Sequence, residues 1–227
     1  MSRRRGTPDD AVVGATAAPD LDSDPRAPTD SLVIERGFGV EDADVVAPAT
    51  LEEADAPYGH FARVRLAGVP LTGARLRGAE LRDVSVEGSD AANLDLSQAT
   101  FHRVRFADCR MTGVELAEAD LREVVLRNCK LDYANFRMAA LANVTFEDCV
   151  MVDVDFGGAK LSQVKFTRCE LRDAEFSNAR LSGVDLRGSE LSVRGSATAL
   201  RGAIVSPLQL MELAPVLALE AGIRVED

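Results

Sequence analysis

The stretch FADCRMTGVELAEADLREVVLRNCKLDYANFRMAALANVTFEDCVM, residues 106–151, places an apolar residue at every fifth position. The spacing extends well beyond this stretch. From Phe61 to Leu191, all 27 positions five residues apart are apolar, and 25 of these residues are larger than valine. The positions two residues before them are nearly all alanine, valine or cysteine, whereas the other three of each five are mostly polar residues or glycine. The chain therefore contains an unbroken repeat of five residues.

A period of five fits neither an α-helix, which needs about 3.6 residues, nor a flat strand, which needs 2. Two inward positions in every five fit a chain that runs extended for a few residues and then turns. Four such sides close a coil of about 20 residues, and stacked coils pair as parallel ladders about 4.8 Å apart. The sequence thus predicts an all-β fold, a right-handed quadrilateral parallel β-helix over residues 59–205.

The spacing of the cysteines supports the same coil. The chain contains only four cysteines, and successive cysteines are 20 residues apart, which is the length of one coil. They are Cys109, Cys129, Cys149 and Cys169. We expect them to form one column of small inward side chains, where a thiol packs as a small hydrophobic group. Thiols arranged in a straight column cannot surround a zinc ion tetrahedrally, so a zinc site is disfavoured. A copper site formed by thiolates and methionine thioethers is an equally disfavoured alternative. Disulfides are disfavoured, because parallel side chains on adjacent coils do not point at each other.

The two ends of the chain are predicted to differ from the repeat. Residues 1–30 are rich in Pro, Asp and Ala and are expected to be disordered. Residues 31–58 are predicted to form an irregular N-terminal cap or an imperfect first coil. Residues 206–227 are predicted to form a helical cap that starts at Ser206 and Pro207, ends near Gly222 and is kinked or divided by Pro215. Its surplus apolar residues are predicted to form a dimer contact, through Leu208, Met211, Leu213 and Leu217.

Several five-residue units resemble the motif A-(D/N)-L-x-x of the pentapeptide-repeat family: AELRD (79–83), ADLRE (119–123), ANFRM (134–138) and AEFSN (174–178). The resemblance covers residues 59–193, and the ending LRGAIVSPLQLMELAPVLALEAGIRV is similar to the C-terminal cap of a group of actinobacterial members. The resemblance implies a β-helix whose C-terminal elements join two copies end to end. For the best-known members it also implies protection of DNA gyrase or topoisomerase IV by imitation of B-DNA.

The charge distribution weighs against a strong imitation of DNA. The net charge is −11, but residues 1–60 carry −8 of it and residues 61–195 only −1. We number the four sides of the coil by their central residues: face 1 starts from Phe61, face 2 from Leu66, face 3 from Leu71 and face 4 from Leu76, each recurring once per coil. Faces 3 and 4 adjoin and carry about −3 and −2. Their acidic residues are Asp90, Asp95, Glu115, Glu118, Asp132, Asp153, Asp155, Glu170, Asp173, Glu175 and Glu190.

No catalytic motif is present, and the only two histidines are isolated. We therefore expect a non-enzymatic protein with no metal site and no cofactor, because solenoids generally act through their surfaces. The sequence predicts an interaction scaffold for a protein partner, and the alternative is a DNA-imitating protein that binds DNA gyrase. The candidate contact cluster is an outward group of the types common in contact centres, formed by Tyr133, Asn135, Arg137 and Met138.

Other partners and compartments are disfavoured. No basic stripe with interleaved aromatic residues indicates direct binding of nucleic acid, and no apolar run is long enough to span a membrane. The basic start MSRRRG is not followed by the apolar segment of a signal peptide. Together with the small number of cysteines, this pattern predicts a cytoplasmic protein with reduced thiols.

Overall fold

The computed structural model describes residues 39–47 and 49–226. The predicted tail, residues 1–30, lies outside this range. The elements of the described residues are β1 (Gly39–Val46), β2 (His60–Ala67), β3 (Glu80–Glu87), β4 (Thr100–Ala107), β5 (Asp120–Arg127), β6 (Ala140–Glu147), β7 (Lys160–Ser162), β8 (Lys165–Thr167), β9 (Glu170–Glu175), β10 (Arg180–Ser182), β11 (Val184–Asp185), β12 (Glu190–Arg194), a 3₁₀ helix (Ala197–Leu200), β13 (Ala203–Ile204) and α1 (Pro207–Glu220).

Strand pairing confirms the predicted right-handed β-helix of about eight turns. All strand pairs are parallel, and from β2 onward each residue of a long strand pairs with its equivalent on the next coil, as Val64 does with Val84. The eight-residue strands cover faces 1 and 2 of their coils. Faces 3 and 4 are joined mainly by single bridges, such as Asp90 with Arg110 and Asp95 with Glu115. The pairing therefore follows the four sides of the coil, with faces 1 and 2 joined in one ladder.

The corners between faces lie at every fifth residue, and their backbone is left-handed. Glycine occupies some corners, as expected, but 21 other residues of the described chain also have φ between 50° and 62°. They include Tyr58, Tyr133 and Met138, which are uncommon in this conformation because the side chain crowds the backbone. The strain is tolerated because the ladders on both sides of a corner fix the path of the chain.

The inward columns are buried as predicted, and they form one continuous core. Large side chains concentrate in its middle, where Phe136, Phe156 and Phe176 stack with ring centroids 4.9 and 5.1 Å apart on successive coils. Phe146 and Phe166 form a second stack, with a centroid distance of 4.8 Å. The small column of alanine, valine and cysteine alternates with these rings, so the interior is filled by side chains.

At the N-terminal end, residues 39–47 and 49–58 form an imperfect coil of the solenoid. The rest of the predicted segment 31–58 lies outside the described residues. The interval between β1 and β2 is one residue longer than that between later coils, since Gly39 lies opposite His60 whereas His60 lies opposite Glu80. The usual interval returns at Glu53, which donates its N–H to Thr72 O at 2.9 Å just as Gly73 donates to Ala92 O. One extra residue between β1 and Leu51 thus shifts the apolar period of this coil.

At the C-terminal end, α1 starts as predicted with Ser206 as N-cap and Pro207 in the first turn. Gln209 is buried, and its Nε2 donates to the carbonyls of Leu186 and Ser189, both at 2.7 Å, so the helix covers open hydrogen-bond acceptors of the last coil. Of the two predicted effects of Pro215, a kink or a division, the division does not occur, because α1 continues through Pro215 to Glu220. Pro215 lies on the exposed side, where water can solvate the carbonyl that loses its helical partner.

Candidate interaction surfaces

Many cations of the described solenoid form an ion pair with a carboxylate of the same coil or of another coil. Because equivalent positions stack on successive coils, Arg103 meets Asp83 at 2.6 Å and Arg110 meets Asp90 at 2.9 Å. The hydrogen bond from Arg103 holds the pKa of Asp83 below its ordinary value. These exposed or half-exposed pairs contribute little stability each, but they cancel much of the charge that the sequence places on the surface.

The predicted acidic residues of faces 3 and 4 fall into two groups. Five of them are in ion pairs with a cation of the same surface: Asp90, Asp132, Asp153, Asp155 and Glu170. The other six have no ion pair among the described residues: Asp95, Glu115, Glu118, Asp173, Glu175 and Glu190. Asp95, Glu115 and Glu175 accept hydrogen bonds from uncharged groups. The negative potential that remains is therefore carried mainly by face 4.

The predicted contact cluster lies on one side of one coil and spans the whole width of face 4. Tyr133 and Met138 occupy the two corners of this face and are 63% and 64% exposed. Asn135 Nδ2 donates to Glu115 Oε2 at 2.7 Å, and Arg137 donates to Asp155 Oδ2 at 3.1 Å. The structure thus brings the four residues together, with two apolar side chains exposed and two polar side chains held between them.

Two glycines of the next coil, Gly157 and Gly158, lie against this cluster. A Cβ atom on Gly157 would lie 2.7 Å from an Arg137 guanidinium nitrogen, and one on Gly158 would lie 2.5 Å from the sulfur of Met138. Arg137 and Met138 therefore lie against bare backbone. Any larger residue in place of the glycines would push them outward.

Sequence reasoning missed Tyr58, which is 61% exposed at a corner of face 4 in the first coil. It lies over Gly78, where a Cβ atom would be 2.7 Å from the tyrosine ring. With Tyr133 and Met138 it completes the set of large apolar side chains that are exposed on the described solenoid before β13. All three border face 4. The sequence contained the information needed to find Tyr58. It lies five residues before Arg63, which is itself a corner position, so the repeat places Tyr58 at a corner.

The four cysteines form the predicted buried column, and each is a free thiol. Each thiol donates to the carbonyl two residues before it, as Cys109 does to Ala107 O at 3.2 Å. Contact with the Cys129 thiol and burial raise the pKa of Cys109, and contact with both neighbouring thiols and burial raise that of Cys149. Hydrogen bonds with the same neighbouring thiols lower the pKa of Cys129 and Cys169. All four thiols are buried, which keeps them from reactants in solution. Among the described residues, no group of three or more His, Cys, Asp or Glu side chains is arranged to hold a metal ion.

The predicted dimer contact is only partly exposed. Leu208 and Met211 are 65% and 72% exposed, but Leu213 is buried and Leu217 packs against the core. The inward stripe of α1 is Gln209, Leu213 and Leu217, at a spacing of four residues, so Leu213 and Leu217 are not available to a second copy. The exposed apolar residues of this end are Ile204, Leu208, Leu210, Met211, Val216, Leu219, Ile223 and Val225. The described part of the chain contains no helix that is long and apolar enough to span a membrane.

Comparison with known proteins identifies the repeat. A model of the pentapeptide repeat region matches residues 59–136 and 123–193, which together make up more than half of the chain. Full-length QnrB1, a plasmid-mediated fluoroquinolone resistance protein, is 17% identical with a TM-score of 0.51, over 84% of this chain and 95% of QnrB1. At this identity the similarity concerns the fold alone.

Two further solved structures have lower TM-scores. A trypsin-treated variant of QnrB1 is 21% identical with a TM-score of 0.48, over 88% of this chain and 99% of the variant. HetL, a pentapeptide repeat protein involved in heterocyst differentiation regulation from the cyanobacterium Nostoc, is 19% identical with a TM-score of 0.31, over 75% of this chain and 90% of HetL. No curated protein sequence matches the chain.

Proposed function

The chain belongs to the pentapeptide-repeat family, and on this premise we propose that it is a non-enzymatic scaffold that binds a protein partner through face 4. One observation carries the proposal. The large apolar side chains exposed on the described solenoid, Tyr58, Tyr133 and Met138, all lie at corners of this face. Elsewhere the repeat exposes polar residues and small side chains. An apolar group kept exposed at strained corners of a single face is the pattern expected of a contact surface.

The chemistry of face 4 specifies the kind of partner. Asp95, Glu115, Glu118 and Glu175 carry charges that no cation of the described residues neutralises, and they lie between or beside the apolar corners. A complementary surface is therefore basic, with apolar side chains that cover Tyr133 and Met138. Tyrosine, arginine and methionine are enriched at such contacts. A filled interior without a catalytic cluster supports a role without chemistry, and the reduced thiols suit the cytoplasm.

We test this proposal with variants that keep the corner backbone intact. Asparagine tolerates a left-handed backbone, so Tyr133→Asn with Met138→Asn removes the apolar contacts without new strain. The matched control is Gln163→Asn, a left-handed corner on the other side of the solenoid. Proteins captured by the immobilised wild type are identified by mass spectrometry, and the affinity of each purified candidate is then measured. We expect the double variant to weaken binding about 30-fold or more, as for a lost hot spot, and the control to leave it unchanged. Equal affinity for all three forms contradicts the proposal.

A second candidate function is imitation of DNA toward DNA gyrase, which the family resemblance implies; QnrB1, which shares the fold, is a fluoroquinolone resistance protein. The observation that favours it is the adjacency of faces 3 and 4, since a continuous negative surface is needed to replace phosphates. The ion pairs of Asp90 and Asp155 with Arg110 and Arg137 reduce this potential. Supercoiling and fluoroquinolone-induced cleavage by gyrase, measured at micromolar protein, decide the question. No change in either reaction refutes this candidate and leaves the scaffold proposal intact.

We further propose that two copies associate through the exposed side of α1. Leu208, Met211 and Leu219 are each at least 65% exposed, and Glu212 is the only charged residue on the outward surface of the helix apart from Glu220 at its end. A two-fold contact buries the same apolar patch on both copies. Met211→Glu with Leu219→Glu is expected to convert a dimer into a monomer in sedimentation-velocity experiments. A monomeric wild type refutes this part of the proposal.

A further inference from the structure

The C-terminal end of face 1 carries two stacked cations. Lys160 and Arg180 occupy the same position on successive coils and lie opposite each other in the ladder between β7 and β10. Neither has an ion pair with a carboxylate of the described residues. Like charges directly opposite each other on paired strands are destabilising. The solenoid also stacks Arg110 on Lys130, but each of these two has a carboxylate partner, whereas Lys160 and Arg180 have none. This difference directs attention to what lies beside Lys160 and Arg180.

Directly beside them is an open cleft with a volume of about 690 Å³. It exists because the chain leaves the coil after β12 and forms the 3₁₀ helix, so no further coil covers this corner. One consequence is that Ala179 and Leu181 are half-buried, whereas their equivalents one coil earlier, Ala159 and Leu161, are at most 1% exposed. The volume is in the range of small-molecule sites, about 300–1,000 Å³.

A third cation completes the rim of this cleft. Arg201 precedes Gly202, and a Cβ atom on Gly202 would lie 2.4 Å from the carbonyl oxygen of Leu181. Arg201 therefore takes the level above Arg180, as Arg180 takes the level above Lys160. Arg180 and Arg201 both line the cleft, and Arg201 also has no ion pair among the described residues. Two guanidinium groups thus border one cleft without a carboxylate partner.

The other polar groups that line the cleft are mostly donors. The backbone N–H of Asn178 has no hydrogen-bond partner among the described residues, whereas the equivalent N–H of Gly158 donates to Ser177 O at 2.8 Å. The next coil, which would supply the acceptor for Asn178, is missing. The hydroxyls of Ser196 and Thr198 lie 2.6 Å apart, so one of them donates to the other and the second has a free proton.

The nearest carboxylates do not line the cleft and are already hydrogen-bonded. Glu175 accepts from the N–H of Ser177 at 2.7 Å, and Glu220 accepts from the N–H of Ala197 at 2.8 Å. The lining therefore contains two fixed positive charges, a free backbone donor and hydroxyl groups, with no charged acceptor. Arginine pairs with bidentate geometry to carboxylate and phosphate oxygens, and the number of donors here matches the three or more acceptor oxygens of a phosphate.

We propose that this cleft binds a small phosphorylated molecule through its phosphate groups. Arg180 and Arg201 hold the phosphate oxygens, the N–H of Asn178 supplies a third contact, and Ala179 with Leu181 forms an apolar floor for the remainder of the ligand. No aromatic side chain lines the cleft, so the site does not recognise a base by stacking. This inference is independent of the partner proposed for face 4.

The test titrates the full chain with inorganic pyrophosphate at constant ionic strength, followed by calorimetry and by amide chemical shifts. We expect a saturable isotherm and the largest shift at the amide of Asn178. Arg180→Gln with Arg201→Gln should weaken binding at least about tenfold, because each removes a charge-assisted hydrogen bond. The matched control is Arg82→Gln, an exposed arginine of face 1 far from the cleft, which should bind like the wild type.

The possible outcomes distinguish specific binding of pyrophosphate in the cleft from nonspecific attraction of pyrophosphate to surface cations. Retained binding in the double variant, an equal loss in Arg82→Gln, or shifts spread over faces 1 and 2 overturn the proposal, as does the absence of a saturable isotherm. A single Arg180→Gln variant, checked for an unchanged melting temperature, guards against loss of binding by unfolding of the last coil. If this folded variant binds pyrophosphate as tightly as the wild type, Arg180 has no role and the site is refuted.

Discussion

Replacement of Phe156 by alanine is expected to be among the most destabilising single changes in the solenoid. Its ring is fully buried, and it stacks between Phe136 at 4.9 Å and Phe176 at 5.1 Å. It also meets Phe146 and Phe166 edge to face, at 6.5 and 6.0 Å. Truncation of a buried phenylalanine costs about 3–5 kcal/mol, and each aromatic pair contributes about 0.5–1.5 kcal/mol beyond its burial.

Phe101 provides the matched comparison for this prediction. It is equally buried but has one ring neighbour among the described residues, Phe106 at 6.4 Å. The two alanine variants lose the same side chain, so they differ mainly by three ring pairs. At the lower end of the range above, this difference makes Phe156→Ala about 1.5 kcal/mol more destabilising than Phe101→Ala.

The measurement is urea denaturation followed by circular dichroism, with the midpoints of the three proteins compared. Phe156→Leu is a useful third variant, because it keeps most of the apolar volume and removes only the ring contacts. At the lower end of the range for its four ring pairs, it should lose about 2 kcal/mol. If Phe156→Ala and Phe101→Ala unfold at the same midpoint, ring stacking adds nothing to burial in this core and the reasoning is refuted.

Three further predictions concern the corners, the thiols and pH. Gly202→Ala should destabilise the chain about 1–3 kcal/mol more than Gly88→Ala, because both have positive φ but only the first added Cβ meets backbone; equal melting temperatures would contradict this. Cys129→Ser should cost only about 1 kcal/mol, since the hydroxyl can donate to Arg127 O as the thiol does, and a chelator should not change the melting temperature of the wild type. The lowered pKa of Asp83 adds stability above its unfolded value of about 3.9, and this stability is lost as pH falls through the lower folded pKa. Melting temperatures between pH 6 and pH 2.5 should therefore drop below about pH 4, and Asp83→Asn should reduce the drop.

The fold was predictable because burial in this molecule follows a single period. Leu116 and Phe156 point inward for the same reason, since each holds the third position of a five-residue unit, and no long-range information is needed to place them. The first coil was not recognised as regular because its extra residue moves the apolar positions. Val40 and Val45 are one step out of register with Leu51 and Phe61, and a strict count of five therefore stops before them.

The surfaces were less predictable than the core. The sequence indicates which residues stack on successive coils, but not whether their side chains meet. Arg137 pairs with Asp155, 18 positions later, because Gly157 leaves the space beside Asp155 open. The exposed stripe of α1 was also assigned incompletely, since its apolar content surrounds the helix and only contact with the last coil selects Gln209, Leu213 and Leu217 as the inward side.

The regularity of the ladder makes its exceptions informative. At many outward positions, a carboxylate lies beside an arginine, or a polar corner residue lies beside a glycine. The exceptions include face 4, where apolar corners border carboxylates without an ion pair, and the end of face 1, where Lys160 and Arg180 stack and neither has a carboxylate partner. Neither departure improves packing, since the side chains concerned are exposed, and the second has an electrostatic cost. On the proposals made above, substitutions at these two places should change binding and leave stability nearly unchanged, whereas substitutions of Phe156 should change stability.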